Sequence, residues 1–198
     1  KNNELLKVEN SLKNTINKIS NNNNFKNIKN LNNKKLQKNF YKFKSSNPLK
    51  AGAIYDSMQT SITLQSLVTS KKIIKILCKI LKIKDEVSVS NFFRSIRLDL
   101  PKKKNNLLSW HQDFMDTSKK NFDYSRGITI WAPLNRVDKN NGSMMLCVGS
   151  HKKRVNTISK KRVSRNSSEY LMINNNEIKK YEKELITCKR GDVVFMNM

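Results

Sequence analysis

The chain has 198 residues, with 40 Lys and Arg against 15 Asp and Glu, a formal net charge of +25 and a pI near 10.1. That length suits one domain with a sizeable core plus an extension. No apolar run reaches the roughly 18 residues of a membrane span and no signal peptide is visible; Cys78, Cys147 and Cys188 lie far apart with no C-x-x-C spacing, which argues against a structural zinc site.

Each cysteine sits in an apolar run, so buried free thiols and a cytoplasmic location are expected. The charge has two readings. One is a polyanionic partner, nucleic acid or an anionic membrane surface. The other is compositional drift, because the basic residues are mostly Lys, scattered along the chain, and accompanied by an excess of Asn and Ile that shares their A/T-rich codons. The Arg/aromatic interleaving of a base-stacking surface is absent, so nucleic acid is the less favoured partner.

Residues 1–20 place Leu5, Val8, Leu12, Ile16 and Ile19 at the spacing of one helix face, a packing helix. Residues 21–50 are rich in Asn and Lys, punctuated by Phe25, Ile28, Leu31, Leu36, Phe40, Tyr41 and Phe43; they are partly helical or a linker docked on the core. Pro48 closes that segment, and the expected organisation is an extension over 1–47 followed by a domain over 48–198. A helix is predicted over 51–68, a break at Thr69-Ser70 with Ser70 capping, and a second helix over 71–82 with Ile73, Ile74, Leu77, Ile80 and Leu81 on one face and lysines on the other.

Residues 87–100 read as a strand, with Ile96, Leu98 and Leu100 on one face and Ser95, Arg97 and Asp99 on the other. Arg97 either lines a pocket or forms part of a salt-bridged solvent face. A loop over 101–106 leads to a strand ending in Trp110-His111-Gln112-Asp113. Positions i and i+2 of a strand point the same way, so His111 and Asp113 are presented side by side, as two of the three ligands of a 2-His-1-carboxylate iron site would be. A bare His-x-Asp is also the pattern of an ordinary surface hydrogen-bond pair.

Residues 121–126 form a candidate mobile loop and 128–134 a strand with Trp131. Asn141-Gly142 is a hairpin signal expected to tie that strand to an antiparallel one over 143–148. Residues 152–176 read as a long basic loop with a short helix over 167–172, then a strand over 184–188, a turn at Arg190-Gly191-Asp192 and a strand over 193–196. The chain starts at Lys1 and stops at Met198 inside this strand, so a fragment cut at both ends is expected.

Taken in order, Trp110-His111-Gln112-Asp113, the Trp131 strand, Asp138 through Asn141-Gly142, Gly149-Ser150-His151-Lys152 and Gly191-Asp192-Val193-Val194-Phe195 resemble the phytanoyl-CoA dioxygenase family of Fe(II)/2-oxoglutarate oxygenases. The resemblance spans residues 50–198. It implies an α+β, mainly β chain: a double-stranded β-helix (jelly-roll, cupin-like) core with flanking N-terminal helices, incomplete at the C-terminus. It further implies Fe(II) held by His111, Asp113 and a second histidine beyond Met198, where an arginine for 2-oxoglutarate would also lie. With those missing, this stretch by itself is expected to be inactive.

By the same resemblance, 2-oxoglutarate and O2 take the open iron positions, 2-oxoglutarate is decarboxylated to succinate, and a small organic substrate is hydroxylated. Asp113 stands where related halogenases have a small residue, which favours hydroxylation. Trp131 matches a tryptophan beside the cosubstrate, with ordinary barrel packing as its other reading. His151, the remaining histidine, corresponds to one outside the metal sphere. Two other functions stay open: an inactive ligand-binding member of the same fold, and a basic nucleic-acid or anionic-surface binder. Neither substrate nor oligomeric state is legible.

Overall fold

The computed structural model describes residues 2–84, 89, 94–98, 108–113, 127–153, 157–162 and 169–197. They fall into two compact units, Lys1–Leu100 and Pro101–Met198, the first helical and the second built on strands. The predicted loops over 101–106 and 121–126, and most of the predicted strand over 87–100, lie outside the described residues.

The helical unit is organised by α1 (Asn2–Ser20), whose Leu5, Val8, Leu12 and Ile16 recur every three or four residues and are all buried. The Asn/Lys-rich stretch that follows is helical and packed. A 3-10 turn over Asn23–Phe25 drives Phe25 into the core, and α2 (Lys34–Ser46) supplies Phe40 and Phe43. Phe25 meets Phe43 edge-on at 5.5 Å and Phe40 at 6.2 Å between ring centroids, the geometry aromatic quadrupoles favour. Asn33 caps α2, its side-chain oxygen accepting from the backbone N–H groups of Lys35 and Leu36.

α3 (Pro48–Gln59) begins with Pro48 in its first turn, where a missing N–H costs nothing. Pro48 therefore opens a helix instead of merely closing the preceding segment. Ile54 and Met58 of α3 share one core with Val8 and Leu12 of α1, so the helices on either side of Asn47 pack together.

The predicted continuous helix over 51–68 is interrupted. α3 stops at Gln59, and α4 (Ile62–Val68) starts after Thr60 and Ser61. The Thr60 hydroxyl donates back to the Asp56 carbonyl, and the Ser61 hydroxyl pairs with that of Thr63; such local bonding competes with helix continuation. Ser70 occupies the position before α5 (Lys71–Leu81), but its side chain makes no cap hydrogen bond, contrary to the capping role expected. In α5 only Leu77 is buried. Lys71, Lys75 and Lys79 stack at i, i+4 and i+8, an arrangement that costs a few tenths of a kcal/mol, about 0.2–0.5, per like-charged pair. Residues 94–98 keep the expected alternation: Ile96 is buried and Leu98 half-buried, while Ser95 and Arg97 are exposed.

In the second unit the strands are β1 (Ile128–Trp131), β2 (Met145–Cys147), β3 (Thr157–Arg162), β4 (Glu169–Ile173), β5 (Lys183–Leu185) and β6 (Val194–Asn197), with a short helix α6 (Asn175–Ile178) between β4 and β5. Among the described residues the strands pair antiparallel and nested: β3 with β4, β2 with β5, β1 with β6. A bridge between Val137 and Cys188 continues the nest between the two outer pairs.

This overturns the predicted hairpin. Asn141-Gly142 does not pair β1 with β2; it closes a turn in which the N–H groups of Asn141 and Ser143 both donate to the Asp138 carbonyl, and Gly142 alone has positive φ, +107°. β1 and β2 instead take partners from late in the chain. Within the predicted loop and short helix over 152–176, Thr157–Arg162 and Glu169–Ile173 are the paired strands β3 and β4, and the helical turn comes later, at α6. The turn at Arg190-Gly191-Asp192 is present: Gly191 has φ +90°, and Asp192 accepts from the Lys189 N–H.

Of the cysteines, Cys188 is buried, whereas Cys78 and Cys147 are only partly so; none is in a disulfide. Burial pushes the Cys188 thiol up, and Asp192 adds to that. Among the described residues no helix is long and apolar enough to cross a membrane.

Candidate metal centre

The segment carrying His111 and Asp113 lies alongside β4. The Ile173 N–H donates to the Trp110 carbonyl at 2.9 Å, and His111 bridges Met172. Extended backbone at His111 puts the two side chains on one side, as the i, i+2 spacing requires. His111 Nε2 lies 3.2 Å from Asp113 Oδ1, with the imidazole 24% and the carboxylate 44% exposed. Two ligand atoms at right angles, each about 2.1 Å from one ion, sit about 3 Å apart. The separation therefore fits a shared metal.

The other ring nitrogen settles the tautomer. His111 Nδ1 is 2.6 Å from the Ser109 carbonyl oxygen, which can only accept, so Nδ1 carries hydrogen. If the ring is neutral, Nε2 turns a lone pair on a carboxylate oxygen, and the two repel unless a cation sits between them. A proton does this, and so does a metal ion. Holding the far nitrogen on a carbonyl is also what orients a metal-ligating histidine. The His111 ring beside it holds the Asp113 carboxyl below the usual carboxylate value; partial burial works against this, and the ring's charge and a hydrogen bond from Thr129 add to it.

Thr129 lies on β1 two residues before Trp131, so both share one strand face, with Met196 and Val194 opposite them on β6. Trp131 thus stands on the face whose threonine reaches Asp113. His151 is exposed, in a 3-10 turn over Ser150–Lys152. Among the described residues no group of three His, Cys, Asp or Glu side chains forms a metal cluster. Arg97 belongs to the other unit, where it is exposed.

The sequence reading missed Ser109 and Thr129. A carbonyl acceptor leaves no mark on residue type, whereas Thr129 was findable as a hydroxyl on an otherwise apolar strand, in phase with Trp131.

A profile of the family described as phytanoyl-CoA dioxygenase (PhyH) matches residues 11–198. No curated protein and no solved structure matches the chain.

Proposed function

Since the chain belongs to the phytanoyl-CoA dioxygenase family, we propose that it is an Fe(II)/2-oxoglutarate-dependent oxygenase hydroxylating a small organic substrate. The observation that carries this reading is the 3.2 Å approach of His111 Nε2 to Asp113 Oδ1, with Nδ1 committed to the Ser109 carbonyl. The nested antiparallel pairs support a jelly-roll core, because a long two-stranded ribbon wound on itself pairs early strands with late ones.

In this reading His111 and Asp113 are two of the metal's protein ligands. When bound, Fe(II) with 2-oxoglutarate and O2 supplies the oxidising equivalent and the oxygen atom, with succinate and CO2 as coproducts. The chain's own residues prepare the place. Ser109 fixes the imidazole with its Nε2 lone pair outward. Thr129 holds the carboxylate beside it. Asp113 offsets part of the metal's charge with a hard oxygen donor. Trp131 walls the cosubstrate side, being in phase with Thr129.

The test is succinate formation by the full-length protein given Fe(II), 2-oxoglutarate and O2. Expected are strict dependence on all three and loss of turnover in Asp113→Ala. Succinate formation that persists without added or bound iron would end the reading.

A further inference from the structure

We propose that the exposed side of α5 docks the protein on an anionic lipid surface, with Ile76 and Ile80 entering the headgroup boundary and the adjacent lysines meeting lipid phosphates and carboxylates. A helix can be read as rows of residues four apart. In α5 one row is Ile73, Leu77 and Leu81, buried or half-buried. The row beside it is Lys72, Ile76 and Ile80, all exposed, the isoleucines at 37% and 40%. The next is Lys71, Lys75 and Lys79, also all exposed. The outward surface therefore joins an unbroken lysine row to a row ending in two isoleucines.

Drift toward Lys and Ile accounts for how many there are. It does not account for their sorting into adjacent rows, one of which leaves apolar side chains in water. From Ser57 to Lys84 the chain holds neither aspartate nor glutamate, so no acidic residue lies within four positions of Lys71, Lys75 or Lys79. An anionic surface would relieve that repulsion.

The charge also selects the occupant. A second copy of a chain with net charge +25 is repelled from the same face. A nucleic acid would use the lysines but gain nothing from two isoleucines, and α5 has no aromatic or arginine for stacking. A bilayer rewards both rows, through apolar insertion and attraction of lysines to anionic headgroups. Contact of this kind is peripheral, in keeping with the absence of a membrane-crossing helix among the described residues.

The experiment is co-sedimentation of the protein with phosphatidylcholine vesicles, with and without phosphatidylserine. Retention is expected only on the serine-lipid vesicles, falling as salt rises. Replacing both isoleucines, Ile76→Ser with Ile80→Ser, should weaken it about tenfold, with helix content by circular dichroism unchanged. Lys75→Gln with Lys79→Gln, which leaves the apolar rows intact, should weaken it and flatten its salt dependence. The proposal fails if the wild-type protein is not retained. It fails equally if the isoleucine variant binds as well as wild type, which would make the binding one of bulk charge; if a DNA duplex displaces the vesicles without regard to Ile76; or if Ile76→Ser abolishes a dimer seen without lipid.

Discussion

The two units divide the labour of this chain differently. Among the described residues the helical unit carries most of the deeply buried apolar side chains, with Val8, Leu12, Ile54 and Met58 fully enclosed and Phe25 nearly so. The strand unit has strands of three to six residues in two-stranded pairs, and its described buried hydrophobics include Val137, Ile178 and Cys188. The iron-ligand candidates are in the strand unit. Among the described residues, the candidate ligands stand beside backbone ladders and a few polar contacts, apart from the aromatic and aliphatic core of the helical unit.

The sharpest way to break that contrast is Asp113→Ala in the full-length protein. Turnover should fall by at least about a hundredfold, since a ligand matters more than the 10–100-fold of its outer-shell partners. The urea midpoint should hardly move, because the carboxylate is 44% exposed. A large loss of stability would show that the site also holds the fold.

Phe25→Ala is the converse. Removing a ring that is 1% exposed and edge-on to Phe40 and Phe43 should cost about 3–5 kcal/mol in chemical denaturation. A cost below about 1 kcal/mol would show that the Phe25, Phe40 and Phe43 cluster does not hold the helical unit together.

Thr129→Val keeps shape and deletes the hydroxyl. Metal affinity by titration should drop by about tenfold. The Asp113 carboxyl, held below 3.8 by His111, the ring's charge and Thr129, should titrate higher in the variant, read by NMR in the metal-free protein. The sign follows from linkage: a carboxylate with a depressed folded pKa adds stability above its unfolded value, and this is lost as pH falls through the folded one. Asp113 should therefore contribute to acid sensitivity only below about pH 4. An unchanged Asp113 titration would remove Thr129 from the site.

The smallest effects compare two caps. Asn33→Ala should cost about 1 kcal/mol, because its oxygen accepts from Lys35 and Leu36. Ser70→Ala should cost less than about 0.3 kcal/mol, because its side chain makes no cap bond. Equal costs would mean that the caps differ in name only.

Much of this was legible in the residues. The heptad-like spacing of Leu5, Val8, Leu12 and Ile16 determined α1 and its buried face, and the lysine and isoleucine spacing determined α5. The i, i+2 spacing put His111 beside Asp113, and the ordered motifs pointed to the family. These are local facts, settled by repeats of 3.6 and 2 residues. Only the tertiary structure decided that Ile128 faces Asn197 and Met145 faces Leu185, that residues 169–173 are strand, and that the Ser109 carbonyl receives the His111 ring. Strand partners are chosen by burial and ladder closure over the whole unit, at separations where neighbouring residue types carry no information, and a backbone acceptor looks the same in every residue.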